Sequence, residues 1–443
     1  MFIRDVFFTL TTEIFSVGGN LFIGILLARA LTVPERGIMV LVMTLPWIIV
    51  SLAGMGLPQA NIYLVGRKKR KAQTVWGNAL VNAAIISLLT LLFLSAIKGT
   101  ILNTALKGLP PQYWRPLMLL IPALLLDAMT LSILRARQRF DLFNLRRLVV
   151  PMVTLAGFVI ALLVVKGGLT AVVNVYVIVT ALMALFSLVI TQRQVPLKLA
   201  WNRQLTTESL QFGAKSYLQN LVGTLNYRLD VYLLAFLLSP KEVAFYGVAT
   251  SLAEVAWYIP NSVGLVLFPR LSNAPLEQVH QITAKVCRNT LGITGALVVG
   301  MLGMSRLLVP LVYGPAYRAT VPPLLILLPG VIAMGVYKVL TRDFSSRNRQ
   351  QVSILASSVA LTLNVGLDLL LIRPWGIVGA ATASTVGYTA AGAVLLIFFL
   401  RDSKLDWREV LLPRWDELVG HWHWVKVSFW NLVKQRQDLE RVV

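Results

Sequence analysis

Charge is scarce in this chain, and the residue types that build most metal and redox centres are scarcer still. Asp, Glu, Lys and Arg make up 14% of 443 residues, and there are one cysteine, Cys287, and three histidines, His280, His421 and His423. A lone cysteine excludes a disulfide framework, and so few Cys and His leave no Cys/His metal site. No GxxxxGK[ST] stretch occurs, so nothing in the sequence supports ATP hydrolysis by this chain. A membrane glycosyltransferase or polymerase would show a sizeable extramembrane loop with clustered acidic or basic residues. No loop here is long enough, and the chain is not expected to be an enzyme.

Apolar residues fill the space instead. They are 57% of the chain, and the mean hydropathy is +0.73, which belongs to a polytopic membrane protein with lipid as its solvent. A hydrocarbon core needs about 20 apolar residues per helix. The runs predict twelve spans, over 6–30, 38–64, 75–97, 116–134, 148–165, 169–191, 210–238, 244–268, 286–312, 321–340, 352–372 and 377–400. The opening "MFIRDVFF" continues into a run too long for a cleaved signal and reads as a retained anchor.

A net charge of +22 would suggest nucleic acid in a soluble protein, but here the basic residues follow the topology. The loops after even-numbered spans, "RKKRK" at 67–71 and "RARQRFDLFNLRR" at 135–147 among them, hold 19 Lys and Arg, and the opposite loops fewer than half as many. The basic loops are therefore expected on the cytoplasmic side, with both termini inside. Five tryptophans after Arg401 (Trp407, Trp415, Trp422, Trp424 and Trp430) suggest an interfacial helical tail over 401–443.

The phrase "LARALTVPERG" at 27–37 has a counterpart, "FLLSPKEVAFYG", at 236–247. An offset of 206 pairs Pro34 with Pro240 and Asn20 with Asn226, so span 7 repeats span 1 and each opens a six-span half. Because each half has an even number of spans, the repeat is parallel, about an axis along the membrane normal. The prolines are expected to stop the first helix of each half, with Arg29 snorkelling to the outer surface.

At 100° per residue, Thr9, Glu13, Ser16, Asn20 and Gly24 share a face of helix 1, and Lys215, Gln219, Gly223, Asn226 and Asp230 share a face of helix 7. Gly247, Thr250, Ser251, Glu254, Trp257, Tyr258 and Asn261 form a third stripe, on helix 8. A charge at the bilayer centre costs about 2.5–3.5 kcal/mol on insertion scales, so Glu13, Arg228, Asp230 and Glu254 must face protein or water, as a central cavity would allow. Asp127 and Asp368 read instead as structural ion pairs or snorkelling carboxylates.

"ARALTVPERGIMVLV" (28–42), "LSPKEVAFYGVATSLAE" (238–254), "LVYGPAYRAT" (311–320) and "LTLNVGLDLLLIRPWGIVGAATAS" (361–384) resemble the polysaccharide-biosynthesis flippases of the multidrug/oligosaccharidyl-lipid/polysaccharide (MOP) exporter superfamily. The resemblance implies an all-α, V-shaped bundle of about twelve transmembrane helices. An N-terminal six-helix lobe would occupy 1–204 and a C-terminal lobe 205–400, with helices 1, 2, 7 and 8 around a central cavity. It implies an alternating-access transporter in the bacterial inner membrane that moves undecaprenyl-diphosphate-linked oligosaccharide to the outer leaflet. Its expected partners are that substrate, membrane lipids and polysaccharide polymerase machinery, with no nucleic acid.

On that reading Lys215 and Arg228 attract the diphosphate, and Gln219, Asn20, Asn226, Trp257 and Tyr258 contact the sugars. Glu13, Asp230 or Glu254 couples transport to H+ or Na+, with no other cofactor and no metal centre. A cation-coupled multidrug exporter of the same superfamily is the alternative, and lipid II flippases resemble fourteen-span chains.

Overall fold

The computed structural model describes residues 2–104, 106, 108–272 and 274–412, and these are helical throughout, with short turns between elements. The elements are α1 (Phe2–Ala30), α2 (Val33–Ala53), α3 (Leu57–Gly66), α4 (Ala72–Ala96), α5 (Lys98–Thr104), α6 (Trp114–Ala136), α7 (Phe140–Val159) and α8 (Gly168–Gln192). After a linker come α9 (Arg203–Leu237), α10 (Pro240–Val255), α11 (Tyr258–Ser272), α12 (Leu276–Tyr313), α13 (Val321–Ser346), α14 (Gln350–Ser403) and α15 (Trp407–Leu411). Among the described residues, eight helices are long and apolar enough to cross a membrane, or nine if the bent pair α10–α11 is one span. The protein is therefore a multi-pass membrane protein. The tail beyond Leu412, with four of the five tryptophans, lies outside the described residues.

One predicted span is a broken helix, and two others lie in one kinked helix. α2 and α3 meet at Gly56, whose φ of 72° is left-handed, and a Cβ there would sit 2.4 Å from the Gly213 carbonyl oxygen of α9. Only glycine meets both demands. α14 holds two predicted spans, 352–372 and 377–400, joined at Gly376 with φ 56° and ψ −134°.

The phrase that recurs in the sequence is a helix cap. Thr32 and Glu35 form a capping box at the start of α2, the Glu35 carboxylate accepting from Thr32 N at 2.9 Å and from Thr32 Oγ1 at 2.7 Å. At α10 the Ser239 hydroxyl donates to the Glu242 carboxylate in the same way. The α2 box satisfies backbone donors that a helix start leaves orphaned, and the α10 pair repeats its side-chain contact. The boxes lie 207 residues apart, one more than the prolines suggest. Arg29 does not simply snorkel: its Nε donates to the Val312 carbonyl at 2.8 Å and its Nη2 to that of Leu311. A cation at the last carbonyls of α12 answers the negative end of that helix's dipole.

A second recurrence marks the basic loops. α6 and α13 both begin on a Pro-Leu stretch with a second proline six residues on, "PLMLLIP" at 116–122 and "PLLILLP" at 323–329. Both end in a Schellman turn with a left-handed residue between two arginines, Gln138 (φ 56°) and Asn348 (φ 59°). In the first, Arg139 binds Asp141 through two hydrogen bonds of 3.0 and 2.8 Å and reaches Gln194 at the end of α8. In the second, Arg349 binds Asp402 at the end of α14, and that hydrogen bond raises the Arg349 pKa above its ordinary value.

The chain forms two compact units, residues 1–253, 304–327 and 357–387 in one, and residues 254–303, 328–356 and 388–443 in the other. In the first, α6 packs on α2, α3, α4 and α8 around Leu117, Leu120, Leu125 and Met129, and α1 packs on α7. In the second, Cys287, Val339, Phe344, Ala356 and Phe399 form the core, with Val410 of α15 packed into it.

Candidate functional site

Two buried carboxylates among the described residues are neutralised within their own unit. In the first unit, Asp127 of α6 meets Arg146 of α7 at 2.5 Å and accepts from Ser187 of α8 at 2.6 Å, the structural ion pair expected of it. In the second, Asp343, wholly buried, accepts from Arg347 Nε at 2.8 Å and from Thr283 at 2.9 Å. Arg347 also reaches Asp402 at 3.0 Å.

One cluster in the first unit brings two carboxylates together. Asp230 of α9, 3% exposed, accepts from Tyr246 of α10 at 2.5 Å, from Ser384 of α14 at 3.2 Å and from its neighbour Val231 N at 2.7 Å. Asn364 is best oriented with its amide NH2 toward Asp368, donating to Oδ2 at 2.9 Å, while its oxygen accepts from Ser384 N at 3.2 Å, which leaves the Ser384 hydroxyl proton for Asp230. Two carboxylates thus share one hydrogen-bonded chain through Ser384 and Asn364. Asp368 is wholly buried, and its Oδ1 has no hydrogen-bond partner among the described residues. It is therefore neither the ion pair nor the snorkelling carboxylate expected from the sequence. A turn away on α9, Asn226 is 5% exposed and its Oδ1 also lacks a partner among the described residues.

The other predicted site residues divide between the units. In the first, Glu13 is paired with Arg147 of α7 at 2.5 Å, one turn from Ser16, which donates to the Arg147 carbonyl; Asn20 is exposed. In the second, Trp257 is buried, its ring 5.5 Å from Tyr388 in an edge-on contact and 4.9 Å from the ammonium of Lys338. Glu254 interacts electrostatically with the same Lys338, and Tyr258 is half-buried beside them. The side chains of Lys215, Gln219 and Arg228 lie outside the described residues. Lys338, a lone cation inside the apolar run of α13, was not singled out by sequence reasoning; its only signal is a charge in a span.

At the basic loops, three adjoining crevices of about 390, 470 and 660 Å³ share Arg70 in their walls, with Lys69, Lys71, Arg137 and Arg203 around them. Glu208 lines two of them and pairs with Arg70 at 3.1 Å.

Residues 26–322 match the family described as polysaccharide biosynthesis protein. A probable low-salt glycan biosynthesis flippase, Agl15 of Haloferax volcanii, is 24% identical over 193 residues, 43% of this chain and 41% of that protein. An uncharacterised membrane protein of Methanocaldococcus jannaschii is 23% identical over 295 residues, 65% of this chain and 54% of the other. The chain thus spans about half the length of the curated relatives it matches. Among solved structures, lipid II flippase MurJ in an inward closed conformation is similar with a TM-score of 0.77 at 16% identity, over 91% of this chain and 90% of that one. An inward-facing multidrug-resistance MATE family transporter of the MOP superfamily gives 0.72 at 13% identity, over 90% and 98%. These two likenesses establish a shared fold.

Proposed function

The chain belongs to the polysaccharide biosynthesis protein family, and we propose that within it this protein is an alternating-access flippase for an undecaprenyl-diphosphate-linked oligosaccharide. The cargo moves from the inner to the outer leaflet of the cytoplasmic membrane and feeds assembly of a surface polysaccharide. The physical task is to carry a polar, anionic head across hydrocarbon, where each unsatisfied polar group costs several kcal/mol. Twelve spans in two six-helix lobes, 1–204 and 205–400, with both termini cytoplasmic, would supply a cavity that keeps the polyprenyl tail in lipid while protein groups solvate the head.

The observation that carries transport is the acidic pair Asp230 and Asp368, buried on α9 and α14 and joined through Ser384 and Asn364. Buried carboxylates of this kind exchange a proton or hold a monovalent cation, and filling or emptying them biases a two-state equilibrium. Coupling to H+ or Na+ would fall to Glu13, Asp230 or Glu254, with Asp368 joined to Asp230 through Ser384 and Asn364. Lys215 and Arg228 would attract the diphosphate, with Gln219, Asn20, Asn226, Trp257 and Tyr258 toward the sugars.

The same acidic pair also suits a cation-coupled multidrug exporter, the second reading. In cells lacking the gene, undecaprenyl-linked oligosaccharide should accumulate while surface polymer disappears, and Asp368→Asn should fail to restore it. Unchanged glycolipid with new sensitivity to cationic drugs would overturn the flippase in favour of the exporter.

A further inference from the structure

Arg36, in the first turns of α2, is 8% exposed, and no carboxylate pairs with it among the described residues. Its Nε lacks any hydrogen-bond partner, and no acceptor for the rest of the guanidinium is found among those residues. The groups that act on it electrostatically are the phenols of Tyr317 and Tyr313. Tyr317 is 1% exposed and held between rings, 5.8 Å edge-on to Phe245 and 6.1 Å from Tyr313, and its hydroxyl has no partner either. On the other side is Gly24 of α1, where a Cβ would lie 3.9 Å from Arg36 Nη2. All of these residues belong to the first unit.

A buried guanidinium is normally satisfied on every nitrogen, because leaving it bare forfeits its hydration without return. Arg288, 5% exposed, donates to the backbone carbonyl of Glu409, and Arg347, its side chain 10% exposed, meets two carboxylates. The Arg36 fork can only donate, and the Tyr317 hydroxyl, which can donate or accept, has no partner among the described residues, so the group that would satisfy the fork is an acceptor, and an oxyanion fits it best. A guanidinium fork matches carboxylate or phosphate in two parallel hydrogen bonds. The Tyr317 hydroxyl, close enough to act electrostatically on Arg36, offers a further donor, and a phosphate has more oxygens than a carboxylate with which to accept from both. The hairpin that holds Arg36 is separated from the basic loop at 67–71 by one span, α2–α3, so the site lies at the opposite end of that span.

We propose that Arg36 and Tyr317 form a binding site for a lipid-linked phosphate or diphosphate, at the end of the first unit away from the basic loops. Its assignment to the cargo rests on the flippase reading given above. The site then takes the diphosphate as it leaves the cytoplasmic end, and Gly24 keeps the approach along α1 open.

The test uses the full chain in lipid nanodiscs, with undecaprenyl diphosphate, phosphatidylglycerol and inorganic pyrophosphate as probes. Thermal midpoints report binding, since a ligand of the folded state raises them by mass action. Wild type should be stabilised by undecaprenyl diphosphate, with pyrophosphate competing. Arg36→Met should melt at or above the ligand-free wild type and bind the probe at least tenfold more weakly. Arg36→Lys, a charge without the fork, should fall between, and Tyr317→Phe should weaken binding about threefold.

Arg36-dependent stabilisation by undecaprenyl diphosphate alone supports the cargo as source; equal stabilisation by phosphatidylglycerol supports the site with bilayer phospholipid as its ligand. Binding by Arg36→Met equal to wild type overturns the site, as does a lower ligand-free midpoint, which would mark Arg36 as structural. The flippase reading fails separately: Arg36-dependent diphosphate binding in a protein whose loss leaves lipid-linked oligosaccharide unchanged keeps the site and discards that cargo.

Discussion

Arg347 and Arg36 sit in comparably buried places and are treated in opposite ways. Arg347 ends α13 beside one of the basic loops and is bracketed by Asp343 and Asp402, with its guanidinium 4.9 Å from the Phe344 ring centre. Arg36 opens α2 and has two phenols for company. Removing a charge from water without a partner is costly, and a chain whose solvent is lipid cannot hide that cost at the surface. Where a charge serves architecture, the sequence supplies its counter-ion, as at Asp127–Arg146 and Asp343–Arg347–Asp402. At Arg36 and Asp368 none stands among the described residues, and on the readings proposed above an oxyanion answers the first and a proton or cation the second.

The comparison breaks most readily at its paired end. Asp343→Ala leaves Arg347 with half its compensation in a dry site, and breaking a buried pair costs about 3–5 kcal/mol. The upper part of that range is expected, because Asp343 is wholly buried. The detergent-solubilised variant should melt many degrees lower, whatever ligand is present. Asp127→Ala should follow at about 3 kcal/mol, since the side chains of Arg146 and Asp127 are 20% and 11% exposed and water relieves part of the stranded charge. If either variant melted like the wild type, local pairing would not be what separates architectural from functional charges.

How far this division was legible in the sequence differs by charge. The two caps were in plain view as Thr32-x-x-Glu35 and Ser239-x-x-Glu242, a spacing that marks helix starts, yet the prolines beside them drew the reading toward a helix stop. The recurrence of the two pairs was legible because the same Thr/Ser-x-x-Glu spacing returns 207 residues on. Asp127 was legible as structural, since arginines follow it within one hairpin. Asp368 was not: its surroundings are set by Asp230, 138 residues earlier, through contacts that no helical period encodes. Lys338 and Arg36 were missed for a related reason. A single cation in an apolar run looks the same whether an aromatic ring, a carboxylate or nothing stands opposite it, and only tertiary packing decides which.

The smallest expected effect is the sharpest test, because it turns one kind of site into the other. Gly24→Asp would build a carboxylate on α1 whose Cβ lies 3.9 Å from Arg36 Nη2, with no other non-local atom of the described residues within 4 Å of it. Arg36 would then resemble Arg347. A half-buried charge pair with good geometry contributes about 1 kcal/mol, so the ligand-free protein should melt slightly higher than the wild type. The same carboxylate occupies the guanidinium and repels an incoming phosphate, so stabilisation by undecaprenyl diphosphate should vanish along with rescue of surface polymer in cells. Higher stability with loss of binding would mean that the emptiness around Arg36 is maintained for a ligand at the expense of the resting fold. Higher stability with binding intact would mean that the phosphate is held elsewhere and that Arg36 is merely an uncompensated charge.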